Sequence, residues 1–322
     1  MTDMPSAVRI SEEGPREGFQ IEPGPIATSR KIELIDALSE TGLRTIQVAS
    51  FVDARRVPGW ADADEVVSGF TPREGVRYTA LWLNRKGLER ALAHRGRIDI
   101  RGRISLCASE PFLMRNQNRD FAGNLMSQAE QIAVYKSLDI PTETMSVMAA
   151  FGCNFAGDIP PAAVIRTIES GFALAAEQGL TISRLSLADT MAWATPKHIR
   201  ATVGAVRARW PSLRISLHLH DTRGLGVANA CAGLEMGVDS FDAAVAGLGG
   251  CPFAGHKGAA GNVCTEDLVF LCEEMGIATG IDLEKLIEAA RLAEDIVGHP
   301  LPGSVKLGGT LSALRRKIAA GR

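Results

Sequence analysis

The chain has no cysteine pair at CxxC spacing and no zinc-ligand pattern. Its six cysteines (Cys107, Cys153, Cys231, Cys251, Cys264 and Cys272) are scattered. That argues against a disulfide framework and suits the reduced thiols of a cytoplasmic enzyme. No stretch approaches about 18 unbroken apolar residues, so no membrane span and no membrane partner are expected. Residues 1–13 mix acids with apolar side chains and lack the apolar core of a secretory signal. Charge of one sign is also missing. With 35 Lys and Arg against 37 Asp and Glu, the formal net charge is -2, which gives no reason to expect nucleic acid or an anionic surface as partner. No GxGxxG follows the first apolar run, which weighs against an open dinucleotide-binding sheet. No linker or low-complexity segment divides the 322 residues, of which 46% are hydrophobic, enough for one large domain or two smaller ones.

What is present is alternation. Short apolar runs with strand character cover 8–13, 44–50, 76–83, 98–107, 143–151, 182–187, 213–220 and 240–245. Helical patterns cover 29–41, 86–93, 124–137, 161–178, 196–209, 228–236, 265–274 and 283–297. Gly42 reads as a helix stop, and a Gly/Pro-rich loop is expected after the first strand. About eight strands, each followed by a helix, predict a (β/α)8 TIM barrel with a C-terminal helical extension. A doubly wound open sheet is the alternative. Residues 1–298 read as a catalytic barrel with its active site at the carboxyl-terminal rim, and 299–322 as a C-terminal tail.

The segment Leu213 to Thr222 (LRISLHLHDT) carries the sharpest chemical signal. Strict alternation puts Ile215, Leu217 and Leu219 on one face and Ser216, His218 and His220 on the other. In a barrel the apolar face packs under the helices and the polar face points inward near the mouth, where two histidines can grip a divalent metal. Taken alone, such a pair is more often two hydrogen-bonded structural histidines. The other strand ends tip the reading. Arg16, Glu17 and Gln20 follow strand 1, Gln47 lies on strand 2, and Asp189 and Thr190 end strand 6. The last strand leads into Gly247–Pro252, with Gly261 and Asn262 beyond.

At these residues the chain resembles the hydroxymethylglutaryl-CoA lyase family of metal-dependent TIM-barrel lyases. The matching stretches are Gly14-Pro15-Arg16, residues 34–40 and 49–52, Asp189-Thr190, residues 218–222, and the Gly247–Pro252 loop with Gly261-Asn262. The resemblance runs from about Val8 to about Gly298. It implies a divalent cation, Mg2+ or Mn2+ with Zn2+ also conceivable, held by Glu17, His218, His220 and Asn262. Mixed nitrogen and oxygen ligands suit Mn2+, and Mg2+ when substrate and water oxygens complete the shell. It implies a CoA-thioester substrate, a 3-hydroxyacyl-CoA such as hydroxymethylglutaryl-CoA or citramalyl-CoA. This would be cleaved by retro-aldol or retro-Claisen chemistry to an acyl-CoA and a keto acid. Catalytic roles fall to Arg16, Cys251, Asp189 and Gln47, with Arg16 stabilising oxyanion charge and Cys251 protonating the enolate carbon. Substrate or CoA contacts fall to Gln20, Asn84, Thr190, Gly249, Gly250, Lys257 and Arg115. A homodimer or homotetramer is expected. Alternatives are a condensing acyltransferase of the isopropylmalate-synthase type and a non-catalytic CoA-binding paralogue.

Two departures stand out. The family carries aspartate directly after the strand-1 arginine, where this chain has Glu17. It carries a catalytic glutamate on strand 2, where this chain has Gln47. Glutamate remains an oxygen ligand with one more methylene. Glutamine carries no charge and cannot accept a proton as a base, so Gln47 is expected to orient substrate instead. Asp189 is expected to bond substrate or Arg16 at the rim. Bulky Trp82 and Trp193 near the mouth suggest a reshaped acyl pocket.

Overall fold

The structure, a computed structural model, describes residues 4–249 and 261–321. Eight parallel strands form the barrel: β1 Arg9–Glu12, β2 Thr45–Phe51, β3 Arg77–Trp82, β4 Gly102–Cys107, β5 Thr142–Met148, β6 Arg184–Ala188, β7 Arg214–His218 and β8 Ser240–Ala243. The ladders run β3-β2-β1-β8-β7-β6-β5-β4. The seam between β3 and β4 is bridged by the Asp99 N–H, which donates to the Tyr78 carbonyl at 2.8 Å. This is the predicted barrel, with helices after the strands. Alternation explains it. Ile46, Ile104, Leu106, Val147, Leu187 and Leu217 face outward and are fully buried under the helix layer. Each such side chain stabilises the fold by about 1.5–3 kcal/mol.

The inward positions are unusual for a barrel. Branched apolar layers normally fill that space. Here Ser11, Thr45, Thr79, Ser105, Ser186 and Ser216 line a cavity of about 800 Å³. Small hydroxylated side chains leave the axis open. The cavity is floored by arginines at the strand starts, such as Arg9 and Arg214, and reaches Glu13, Gln47 and Asp242 near the mouth.

Several boundaries differ from those read in the sequence. Strand 5 ends at Met148, and a small hairpin pairs Gly152–Cys153 with Gly157–Asp158 before the next helix. Strand 7 ends at His218, and His220 instead makes an isolated bridge to Asn262. The expected Gly/Pro-rich loop after strand 1 is a helix, Gly14–Ile21. Pro15 suits its first turn, where its missing N–H is one of the free ends anyway. Further helices cover Ala63–Gly69 and Glu110–Gln117, and Val305–Gly308 and Leu311–Ala319 fill the tail. No helix among the described residues is long and apolar enough to cross a membrane.

Candidate active site at the carboxyl-terminal mouth

The helix Gly14–Ile21 starts where Glu12 makes it start. Glu12 is fully buried and turned away from the axis. Its Oε1 accepts from the N–H groups of Gly14 (2.7 Å) and Val245 (2.9 Å), and its Oε2 accepts from the Thr265 hydroxyl (2.6 Å). One carboxylate thus ties the end of β1 to the segment after β8 and to the start of the helix Thr265–Glu274. Burial outweighs these three donors and raises the Glu12 pKa to about 7. From the other side the indole Nε1 of buried Trp60 donates to the Arg16 carbonyl at 2.9 Å. The helix is therefore clamped at both faces, and Arg16 and Glu17 are aimed into the mouth.

Glu17, His218 and His220 come together there, each offering a ligand atom within 4.8 Å of the others. Glu17 Oε2 lies 4.0 Å from His218 Nε2 and accepts from Asn262 Nδ2 at 2.9 Å. The His218 Nδ1 lies 3.5 Å from Asp242 Oδ2, leaving Nε2 directed at the cluster. A carboxylate behind an imidazole in this way fixes its orientation and raises its basicity as a ligand. Neither nitrogen of buried His220 has a hydrogen-bond partner, nor does Asn262 Oδ1. Buried polar atoms are rarely left so, because each costs about 1–3 kcal/mol. These orphaned lone pairs, with a carboxylate between them, form the donor set a divalent cation requires, so the residues fit the group. Gly249 completes the cradle. It has φ +88°, and a Cβ there would lie 2.7 Å from Asn262 Nδ2 and 2.9 Å from Glu17 Cγ.

Electrostatics follow the same arrangement. Burial disfavours ionised Glu17, but Arg16, His218 and His220 outweigh it and hold its pKa at about 2. Burial likewise opposes a charged His218, yet Asp242 and Glu17 raise its pKa to about 9. His220, buried beside His218, is lowered to about 4 and is neutral at pH 7. Arg16 is buried and charged, with burial offset by Glu17 and Glu13. Its Nε donates to Gln47 Oε1 and its Nη2 to Glu13 Oε2, while Nη1 lies 3.5 Å from Glu17 Oε1. Gln47 reaches it from a register shift in the β2–β3 ladder between Gln47 and Ala49, an irregularity of the kind that re-aims side chains beside active sites.

The remaining sequence candidates divide. Asp189 follows β6, where its N–H donates to the His218 carbonyl at 2.8 Å. Its Oδ1 accepts from the N–H groups of Trp193 (2.7 Å) and Ala194 (3.0 Å), and not from Arg16, one of the two partners the sequence suggested beside substrate. The local turn takes that oxygen, while buried Oδ2 has no partner and burial raises the pKa to about 6. The Thr190 hydroxyl accepts from the Ala149 N–H at 2.9 Å. Gln20 and Asn84 line a second cavity of about 400 Å³ with Val52, Asp53, Arg56 and Leu83. Asn84 also caps the helix Arg85–Leu92, accepting from the Gly87 N–H at 2.9 Å. Arg115 lies over the Phe155 ring at 4.4 Å. Trp82 bonds the Tyr135 hydroxyl and Trp193 bonds Asn154, so both indoles have partners beside the mouth. Gly250, Cys251, His256 and Lys257 lie outside the described residues.

Two carboxylates escaped the sequence reading. Asp242 shares the inward alternation of Ser240, and Glu13 that of Arg9 and Ser11. That periodicity was the available signal, but neither belongs to a motif.

With this geometry in place, the relatives are informative. The HMGL-like family model matches residues 7–293. The chain is 41% identical over 300 residues to hydroxymethylglutaryl-CoA lyase YngG of Bacillus subtilis, covering 92% of this chain and 96% of that protein. A crystal structure of the B. subtilis HMG-CoA lyase superposes with a TM-score of 0.85 at 38% identity, covering 95% of this chain and 98% of the other. An HMG-CoA lyase from Acinetobacter baumannii, in complex with coenzyme A and 3-methylmalate, superposes with a TM-score of 0.83 at 36% identity, covering 96% and 97%.

Proposed function

The chain belongs to the HMGL-like family, and from that premise we propose that it is a carbon–carbon lyase cleaving hydroxymethylglutaryl-CoA or a close 3-hydroxyacyl-CoA. The observation that carries this reading is the convergence of Glu17, His218, His220 and Asn262 beside the buried Arg16 at the barrel mouth. A likeness to lyases over nearly the whole chain supports it, including one that binds coenzyme A and 3-methylmalate.

In the proposed reaction the 3-hydroxyl loses its proton, the C3–O bond becomes a carbonyl and the C2–C3 bond breaks. The electron pair remains on the thioester side as an enolate. A proton delivered to that carbon gives acetyl-CoA, and the other fragment leaves as acetoacetate. A divalent cation, Mg2+ or Mn2+, held by Glu17, His218, His220 and Asn262 would supply Lewis acidity, making the alcohol more acidic. Neutral His220 and ionised Glu17 are already in ligand protonation states, whereas His218, raised to about 9, would release a proton on binding the ion.

Arg16 is the fixed cation for oxyanion and enolate charge. It is buried and held from three sides, so it needs no reorganisation as charge develops. Asp189 is our candidate for the base, because Oδ2 is buried without a partner and burial has already raised its affinity for a proton. Cys251 is our candidate for the acid that protonates the enolate carbon, from its place in the family's Gly-rich loop. The test is a panel of 3-hydroxyacyl-CoA thioesters and their cleavage products, with acyl-CoA release followed in the presence of Mg2+ or Mn2+. Acetyl-CoA from hydroxymethylglutaryl-CoA is the expected product. Net condensation of acetyl-CoA with a keto acid, with no cleavage of any thioester, would replace this reading by an acyltransferase.

A further inference from the structure

Glu13 is a buried carboxylate that the proposed chemistry leaves unused. It follows β1 on the inward alternation and lines the axial cavity. A guanidinium presents its N–H donors in a rigid planar fork, and here each nitrogen of the Arg16 fork has a different neighbour. Gln47 accepts from Nε, Glu13 accepts from Nη2, and Glu17 lies beside Nη1. Of these three, Glu17 is shared. Its Oε1 faces Arg16 at 3.5 Å, while its Oε2 faces Asn262 at 2.9 Å and His218 at 4.0 Å. Gln47 is neutral. Glu13 is a carboxylate whose direct bond goes to Arg16, which offsets the burial that raises its pKa, while His218 feels it only at longer range.

A buried cation needs such a partner, because removing one member of a buried pair leaves an uncompensated charge. Without Glu13, and with Asp242 acting only at longer range, Glu17 would be the one carboxylate left in close contact with Arg16 among the described residues. It would be pulled towards Nη1 and away from His218 and Asn262. The neutrality of Gln47 fits the same logic. With Glu17 and Asp242 already repelling the Glu13 carboxylate, a fourth carboxylate adds repulsion rather than order.

Resting on the lyase reading above, we propose that Glu13 is the positioning residue of Arg16. It supplies the counter-charge that orients the guanidinium and leaves Glu17 free for the His218–His220–Asn262 cluster, with Gln47 as a neutral second clamp. The charge can then be moved from one edge of the guanidinium to the other. Glu13→Gln keeps the shape and removes the charge, and Gln47→Glu restores a charge at Nε.

The experiment compares wild type, Glu13→Gln, Gln47→Glu and the double variant, each in the full-length protein. It measures kcat and KM on the best thioester, and the 15N resonance of the Arg16 Nε–H, assigned by its loss in Arg16→Lys. Glu13→Gln is expected to lower kcat about 100-fold, the scale of a catalytic group out of place, with KM moving much less. Gln47→Glu is expected to lower kcat in the wild-type background and to raise it about 10-fold in the Glu13→Gln background, a reversal of sign that only coupled groups give. The Arg16 resonance should shift in Glu13→Gln and return towards wild type in the double variant. Should Glu13→Gln fail to fold, Glu13→Asp tests the same point, since a shortened carboxylate keeps the charge but loses the reach. Unchanged kcat and an unmoved Arg16 resonance in Glu13→Gln, or equal effects of Gln47→Glu in both backgrounds, would overturn the assignment. If the wild type cleaves no thioester, the lyase reading fails, and the Arg16 resonance alone then decides for or against the pair.

Discussion

The two ends of the barrel axis hold charges of the same kinds under opposite conditions. At the floor, Arg9 pairs with Asp239 at 2.7 Å, with side chains 52% and 41% exposed. At the mouth, Arg16, Glu13, Glu17, His218 and Asp242 interlock with side chains only 10–19% exposed. Water screens the first pair and reduces it to about 0–1 kcal/mol. The second group has lost that screening, so each member's protonation and position depend on the others. The same strands build both ends. What differs is the cover: the helix Gly14–Ile21, Trp60 and the segments after β6 and β8 close over the mouth.

The comparison can be broken at five residues. The largest effect belongs to Arg16. Arg16→Lys retains a charge but cannot span Gln47, Glu13 and Glu17, and kcat should fall about 1000-fold, as when a preorganised donor to an oxyanion is lost. Circular dichroism and thermal melts would show whether the fold survives, and near-wild-type turnover would remove Arg16 from the chemistry. Next come the proton-transfer groups. Asp189→Asn and Cys251→Ala should each lower kcat about 100-fold or more while leaving metal binding intact. Full activity in Cys251→Ala would assign the acid elsewhere, with His256 as the next residue to test.

A third effect concerns stability. The Glu12 pKa is raised by burial from 4.5 to about 7. The fold therefore favours its neutral form. That contribution is fully present below about pH 4.5 and is lost as the pH rises through about 7, a difference of about 3 kcal/mol. Glu12→Gln mimics the neutral form. Its oxygen can accept from Gly14 and Val245 while its amide donates to Thr265. The variant should match wild type near pH 5 and melt above it near pH 8. A constant gap across that range would contradict the assignment. The smallest effect is at the floor, where Arg9→Ala should shift Tm by no more than about 2 °C. A large loss of stability there would mean that the two ends are not so different.

Much of this architecture is written in alternation. The eight barrel strands follow from period-two patterning between helical segments, and His218 on the inner face follows from Ile215 and Leu217 on the outer one. The helix Gly14–Ile21 was not legible, because glycine, proline and two charged residues in its first four positions read as a loop. Its start depends on Glu12 meeting Val245 and Thr265, more than 230 residues away. Asp242 and Glu13 were missed for a related reason. The pattern points each of them inward, but only barrel closure, which sets β8 beside β7 and β1, brings Asp242 to His218. Glu13 meets Arg16 only because the chain turns into a helix between them. The sequence reading treated Gln47 as a lost charge. The structure shows a carboxylate, Glu13, on the next N–H group of the same guanidinium.

The most direct test of the central claim, a metal-dependent lyase centre at the mouth, is a Mn2+ titration of chelator-treated protein. Acetyl-CoA release from hydroxymethylglutaryl-CoA and bound metal would be measured together in wild type and His220→Ala. The account predicts that wild-type activity returns in proportion to metal bound, saturating at about one ion per chain, and that folded His220→Ala neither retains the ion nor regains activity. Turnover indifferent to the chelator, or unchanged metal occupancy in His220→Ala, would contradict it.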